Sequence, residues 1–292
     1  MTEDIESLVN PKEESLLPVI ILARDLDEAW HAALKLCFMY GYEWVVESGS
    51  YKGQKRYEFD SVKVFIKEPG KGPLVPTMPE GSGLTPPTNK EYVENYFATY
   101  LMSAEKTAHE DYTYGERLVN PRLRFVERPE RKDKAKVTDG PLMRVNQIEE
   151  IIKEIVFSGG RSNQTCMEIA MPNDVLLNDP PCLRLIDVRV RYGALHFFVY
   201  FRSWDLYAGF PANLGALELL KQYMVQEINQ RSDLNLRNGS IVAYSKGLHI
   251  YEQYYPVVEA RLGKTKEELR KEGRESTILP YIIYDGIRNR FS

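Results

Sequence analysis

The stretch PPCLRLIDVRVRYGALHFFVYFRSWDLYAGFPAN, residues 180–213, decides how this chain is read. Pro180 and Pro181 cannot serve a ladder or a helix interior, so they mark a turn. Behind them, CLRLIDVRVR (182–191) and LHFFVYFR (195–202) alternate apolar and polar residues, as half-buried strands do. Tyr192-Gly193 between them predicts a hairpin. ANLGALELLKQYMVQEIN (212–229) then predicts a long helix with a broad apolar face.

Working outward from this hairpin, CMEIAMP (166–172) reads as a strand. Asn238-Gly239 reads as a turn, followed by one strand through SIVAYSKGLHIY (240–251). Upstream, LLPVIIL (16–22) suits a buried strand and YEFDSVKVFIK (57–67) another. LDEAWHAALKLCFMY (26–40) is amphipathic, with Asp25 or Asp27 as its cap and Gly41 as its stop. The Pro/Gly-rich segment 69–87 predicts an extended surface excursion. Thr88 with Glu91 forms the pattern of a capping box, opening a helix to about Ala104. Residues 127–140 read as a charged solvated loop, and Gln147–Phe157 as a helix stopped by Gly159-Gly160. Strands and helices do not alternate regularly. The expected class is therefore α+β, in one domain spanning 1–292.

Net charge is −4, so bulk electrostatics give no reason to expect a nucleic-acid partner. No apolar run is long enough to span a membrane. MTEDIESLVNPKEE at the amino terminus lacks the pattern of an export signal, and a cytoplasmic protein is expected. Cys37, Cys166 and Cys182 form no CxxC pair. His31, His109, His196 and His249 do not follow HExxH spacing, so no metal is expected.

Four pieces carry chemistry together: YTYGERL (112–118), PPC ending at Cys182, RSWDLYAGFPAN (202–213) and HIY (249–251). Singly, each has a plain structural explanation. Jointly, the string RSxDxxxGxPxN twenty residues after Cys182 resembles the nucleotide-binding core of thymidylate synthases, where Cys, Arg-Ser, Asp, Asn and His-x-Tyr recur in this order. The likeness covers roughly residues 90–255, and the form PPCL is most similar to the archaeal-type branch. It implies a thymidylate synthase-like fold: a large mixed β-sheet flanked by helices, one sheet face forming a homodimer interface. It also implies a pyrimidine nucleoside monophosphate as substrate. The co-substrate it implies is 5,10-methylene-tetrahydrofolate or 5,10-methylene-tetrahydromethanopterin.

The chemistry suits these residue types. Pyrimidine C5 needs activation before it can take up a one-carbon unit, and a thiolate from Cys182 adding at C6 provides it. A neighbouring guanidinium, Arg202, would favour the thiolate and bind phosphate, with Ser203 adding a hydroxyl. Asn213 offers an acceptor and a donor to the O4/N3 edge of uracil, although an amide can flip. His249 and Tyr251, two apart on a strand, share a face and can reach the sugar hydroxyl. By the resemblance, Asp205 bonds the base or the pterin, Tyr114 orders the thiolate, and Glu94 relays protons near O4. Glu94 is equally explained as a helix-surface residue.

The family pattern also fails in places. Where an arginine pair is usual, this chain has Arg161-Ser162-Asn163-Gln164. Phosphate binding then falls to Arg161, Arg202 and the loop SYKGQKR (50–56), with Lys52 and Arg56 as candidates. Leu183 stands where histidine is common. The tryptophans that usually line the cofactor cavity have no counterpart: Trp30 and Trp44 lie too early, and Trp204 sits inside the phosphate motif. PYIIYDGIRNRFS does not resemble the usual closing segment. A 5-hydroxymethylase acting on dUMP, dCMP or CMP and a non-catalytic nucleotide-binding homologue are the alternatives to a synthase. Asn213 favours uracil, and so the synthase.

Overall fold

The hairpin of residues 182–202 supplies two adjacent inner strands of the main sheet. A computed structural model describes residues 18–47, 51–107, 110–130 and 132–275; the acidic stretch 1–14, Leu16, Leu17, Ser50 and the segment 280–292 lie outside the described residues. The first half runs β1 (Val19–Ala23), α1 (Leu26–Tyr40), β2 (Tyr42–Val45), β3 (Lys55–Phe59), β4 (Val62–Ile66) and α2 (Lys90–Asn95), which continues as a π-helical turn, Tyr96–Leu101. Next come α3 (Tyr114–Val119), β5 (Arg122–Glu127), β6 (Lys136–Leu142), α4 (Gln147–Ser158) and β7 (Cys166–Glu168). The second half holds β8 (Leu183–Arg191), β9 (Ala194–Phe201), β10 (Trp204–Asp205), α5 (Gly209–Arg231), β11 (Arg237–Ser245) and β12 (Leu248–Tyr251). Helices α6 (Tyr255–Leu262) and α7 (Lys266–Glu275) come last.

Six strands in the order β1-β4-β11-β9-β8-β7 make a mixed sheet, with β1 parallel to β4 and β9 parallel to β11. The alternation seen in the sequence sorts its two faces. Val64, Phe197, Val199, Ile186 and Ala243 are buried on one side, where α1 and α5 pack. On the other side the register lines up Leu22, Phe65, Val242, Phe198 and Asp187 in one row and Lys63, Tyr244, Tyr200 and Leu185 in the next. Leu22 and Tyr244 of that face are exposed. A smaller sheet, β10-β12-β3-β2, runs beside it, and β5 with β6 forms a separate pair.

Several expectations change. The segment 240–251 is not one strand: β11 ends at Ser245, and β12 begins at Leu248 in the other sheet. Asn238-Gly239 is not a turn but lies inside β11, where the register with β9 shifts. Gly239 is needed there because a Cβ would collide with the Leu195 carbonyl and the His196 ring. The charged segment 127–140 is partly strand, since β6 pairs with β5. The strand at 166–172 is only three residues long. Asn89, not Thr88, caps α2, its Oδ1 accepting from Tyr92 N–H at 2.8 Å, and the helical run ends at Leu101. Asp25 is the cap of α1, accepting from Glu28 N–H at 2.9 Å. Residues 69–87 contain neither helix nor strand. No described helix is long and apolar enough to cross a membrane.

Candidate active site

Cys182 sits at the mouth of β8, immediately after a turn that cannot satisfy its own carbonyls. Pro180 and Pro181 have no N–H to donate, and their carbonyl oxygens accept from a side chain rather than from a strand. That side chain is Arg202, at the exit of β9. Its Nε donates to Pro180 O at 3.0 Å and Pro181 O at 3.2 Å, and its Nη2 donates to Asp179 Oδ1 at 2.8 Å and also to Pro180 O. The Arg202 backbone N–H donates to Cys182 O at 2.8 Å, which stitches the cysteine to the Arg202-Ser203 segment. Burial pushes the half-buried Cys182 thiol up. The Arg202 guanidinium works against this, Asp179 adds to it, and Arg184 opposes it.

Tyr114 is positioned from the other side. Thr113 caps α3 by accepting from Glu116 N–H at 3.0 Å, and Tyr114 is the first residue of that helix. Its hydroxyl accepts from Leu183 N–H at 3.1 Å, one residue beyond the cysteine. The fully buried pair Arg117–Asp174, at 2.8 Å, ties α3 to the turn Pro172–Leu176 that leads towards Cys182. Losing one partner of such a buried pair costs about 3–5 kcal/mol. Tyr100 meets Tyr114 edge-on at 5.2 Å, and Tyr112 stacks on it at 6.3 Å. Burial pushes Tyr100 up to about 12, and the Cys182 charge raises Tyr100, Tyr112 and Tyr114 alike. The thiol is therefore ringed by neutral phenols.

Asn213 lies one turn into α5. Its Oδ1 accepts from Trp204 Nε1–H at 3.0 Å, and its Nδ2 donates to Tyr96 Oη at 3.0 Å. Tyr96 continues through Tyr100, 4.9 Å away, to Tyr114, so one row of rings joins Asn213 to the cysteine. The π-helical turn, closed by Met102 N–H to Phe97 O, presents Tyr96 and Tyr100. Short π-helical insertions are rare and recur at functional sites. Asp205 accepts from Tyr207 N–H at 3.0 Å, with Ala208 and Gly209 N–H adding to the same carboxylate. Burial nevertheless raises its pKa. Its visible work is to hold the turn into α5.

His249 pairs with Asp205 across the β10–β12 ladder and is 2% exposed. Its Nδ1 lies 2.9 Å from Gly247 O; a carbonyl can only accept, so Nδ1 carries the hydrogen. The Nε2 is then a bare acceptor, buried without a partner. Burial, reinforced by the Arg56 charge, lowers this imidazole to about 4. Tyr251 meets the His249 ring edge-on at 4.7 Å and stacks on Tyr51 at 4.2 Å. Arg56 lies opposite Tyr251 in the β3–β12 register, hydrogen-bonds its phenol, and pairs with Glu58 at 2.6 Å.

The structure thus brings Cys182, Tyr114 and Arg202 together, sets Asp205, His249, Tyr251 and Arg56 along the adjoining ladder, and ties Asn213 to that ladder through Trp204. Ser203, partly buried, connects the two groups in the chain. Lys52 is exposed in the turn that Tyr51 anchors. Glu94 is not drawn in: it points to solvent and pairs with Lys90 at 3.5 Å. Arg161 follows Gly160, which packs on Val190 at the far end of β8 from Cys182. Eight residues of strand put that end roughly 25 Å away. Trp30 belongs to the core, its Nε1–H donating to Leu206 O at 3.0 Å. Tyr96, Tyr100, Tyr112, Trp204 and Asp179 were not anticipated. The four-residue spacing of Tyr92, Tyr96 and Tyr100 was a signal for two of these, Tyr96 and Tyr100.

Residues 103–275, more than half of the chain, match the family model described as thymidylate synthase. A Methanosarcina acetivorans protein is 29% identical over 240 residues, covering 82% of this chain and 93% of that one. One from Methanosarcina barkeri is 27% identical over the same shares. Both bear the name "Putative thymidylate synthase". The thymidylate synthase of Mycoplasma pneumoniae is 30% identical over 130 residues, 44% of this chain and 42% of its own.

Proposed function

The chain belongs to the thymidylate synthase family, and from that premise we propose that it methylates dUMP at C5. The observation that carries this reading is the juxtaposition of Cys182 with Arg202, and of His249 with Asp205 across a ladder whose Trp204 also holds Asn213. Arg202 exchanges Asp179 for the phosphate, keeping its bonds to the proline carbonyls. The Cys182 thiolate forms a bond to C6, and the C5–C6 π-electrons move onto C5 and O4. Asn213 meets the N3–H/O4 edge, and the bare Nε2 of His249 accepts from a sugar hydroxyl with Tyr251 beside it. Once C5 carries the new carbon and its proton has passed to solvent, the electron pair that arrives with hydride re-forms the C5–C6 double bond and expels the Cys182 sulfur from C6 as thiolate.

A flat reduced pterin fits the row of tyrosine faces running from Tyr92 past Tyr96 and Tyr100 to the thiol. When bound, it supplies the carbon at the methylene level and the hydride that completes the methyl group. The phenols shield the thiol side from water, which favours methyl over hydroxymethyl product. A homodimer through the half-exposed sheet face completes the proposal. Its apolar row of Leu22, Phe65, Val242 and Phe198 supports such pairing. Arg161, remote within one chain, would then serve the partner's phosphate.

The test is tritium release from dUMP labelled at C5, with methylene-tetrahydrofolate or methylene-tetrahydromethanopterin, and identification of the product. Release with dTMP formation is expected, abolished in Cys182→Ser. Release as 5-hydroxymethyl-dUMP would transfer the chain to the hydroxymethylases, and no release with either donor would overturn the catalytic reading.

A further inference from the structure

We propose that Trp204 sets the choice between uracil and cytosine, by fixing which end of the Asn213 amide faces the base. The inference rests on the reading that Asn213 meets the pyrimidine edge. An indole N–H is a donor and never an acceptor, so the Asn213 atom 3.0 Å from Trp204 Nε1 is the oxygen. The second partner, the Tyr96 hydroxyl, can accept or donate and would tolerate either orientation. Only Trp204 discriminates.

The indole itself has little freedom. It is stacked on Phe201 at 4.0 Å with 3° between planes, faces Phe210 at 4.5 Å, and is 2% exposed. Rotating it would break both stacks, so the direction of its N–H is fixed by the core. With these two bonds made, Asn213 retains one lone pair on Oδ1 and one hydrogen on Nδ2. That pair complements the N3–H donor and O4 acceptor of uracil. Cytosine presents a bare N3 and an amino group, which demand the flipped amide. Flipping would turn the Asn213 NH2 against the indole N–H, two donors in contact, with the amide oxygen lost to Trp204.

Trp204→Phe keeps an aromatic ring in the stack and removes the N–H. A benzothienyl-alanine at position 204 does the same with the shape of the indole retained, and serves if the phenylalanine variant fails to fold. The experiment measures dissociation constants of dUMP and dCMP by calorimetry for the wild type and each variant. The wild type is expected to prefer dUMP about a hundredfold. In the variants that preference should shrink about tenfold, the value of one buried hydrogen-bond mismatch. A purely structural role would weaken both nucleotides equally and leave the ratio alone. An unchanged ratio in a folded variant that still binds dUMP overturns the role of Trp204 and leaves the enzyme assignment standing. A wild type that binds dUMP without preference removes Asn213 as the base reader, and this inference with it. A wild type that binds neither nucleotide overturns the assignment itself.

Discussion

Around Asn213 and His249 the hydrogen bonds run to neighbours that the core holds still: Trp204 within its aromatic stack, Tyr96 on the π-helical turn, Gly247 O against His249 Nδ1. At the Cys182 turn the guanidinium of Arg202 is 28% exposed and its acidic partner Asp179 is 87% exposed. An exposed ion pair contributes about 0–1 kcal/mol. A dianionic phosphate can displace Asp179 at little cost, whereas nothing can be exchanged at the Trp204–Asn213 contact without disturbing the core. The contrast separates two tasks. On the proposed reading, discrimination between bases is set when the chain folds, and charge is re-partnered when the ligand arrives.

The strongest attempt to break this contrast is Arg202→Ala. It removes the proposed phosphate partner, the clamp on the proline carbonyls and the charge opposing the rise of the Cys182 thiol. Steady-state assays should show kcat/KM for dUMP down about a thousandfold, or roughly 4 kcal/mol. A loss below tenfold would mean that other cations hold the phosphate.

The next effect is on stability at the rigid corner. His249 titrates at about 4 in the folded protein and near 6.5 when unfolded. Between those values the unfolded chain binds more protons, so stability falls as pH drops from about 6.5 to about 4. It loses about 3 kcal/mol across that window and nothing further below it. Glu58, raised by burial, acts in the opposite sense, so the readout is the difference between the wild type and His249→Gln. Urea unfolding at pH 7 and pH 4.5 should show a smaller acid loss for the variant. Equal losses would assign the acid sensitivity to other groups.

Asp179→Asn sharpens the comparison with the smallest change. The competitor for Arg202 is removed, and so is a charge that raises the Cys182 thiol. The affinity for dUMP should rise about threefold. Alkylation of Cys182 by iodoacetamide should then show a lower apparent pKa than in the wild type. A weaker affinity would make Asp179 part of the phosphate site.

The central hairpin was legible because Leu183–Arg191 and Ala194–Phe201 alternate, and burial follows that alternation in the structure. The resemblance brought Cys182, Arg202, Asn213 and His249 to notice, but not the contacts that hold them. Trp204 and Asn213 are nine residues apart, and their bond depends on a strand end meeting a helix start. No helical or strand period contains that spacing. The Asn238-Gly239 dipeptide carries the chemistry of a turn and is used as a bulge, because β9 approaches too closely for any side chain. Glu94 matched a motif position, yet its side chain lies on the solvent side of α2.

The π-helical turn at Tyr96–Leu101 makes this wall sensitive to chain length more than to side-chain identity. A tyrosine exchanged for another ring leaves the backbone path intact. Deleting a single residue would let the segment relax to an ordinary α-turn and remove the widened turn that presents Tyr100. Tyr100 would swing away from Tyr114 while Tyr96 stayed on Asn213, severing the row in its middle. Among descendants of this sequence, insertions and deletions should therefore be purged from this stretch more strictly than substitutions.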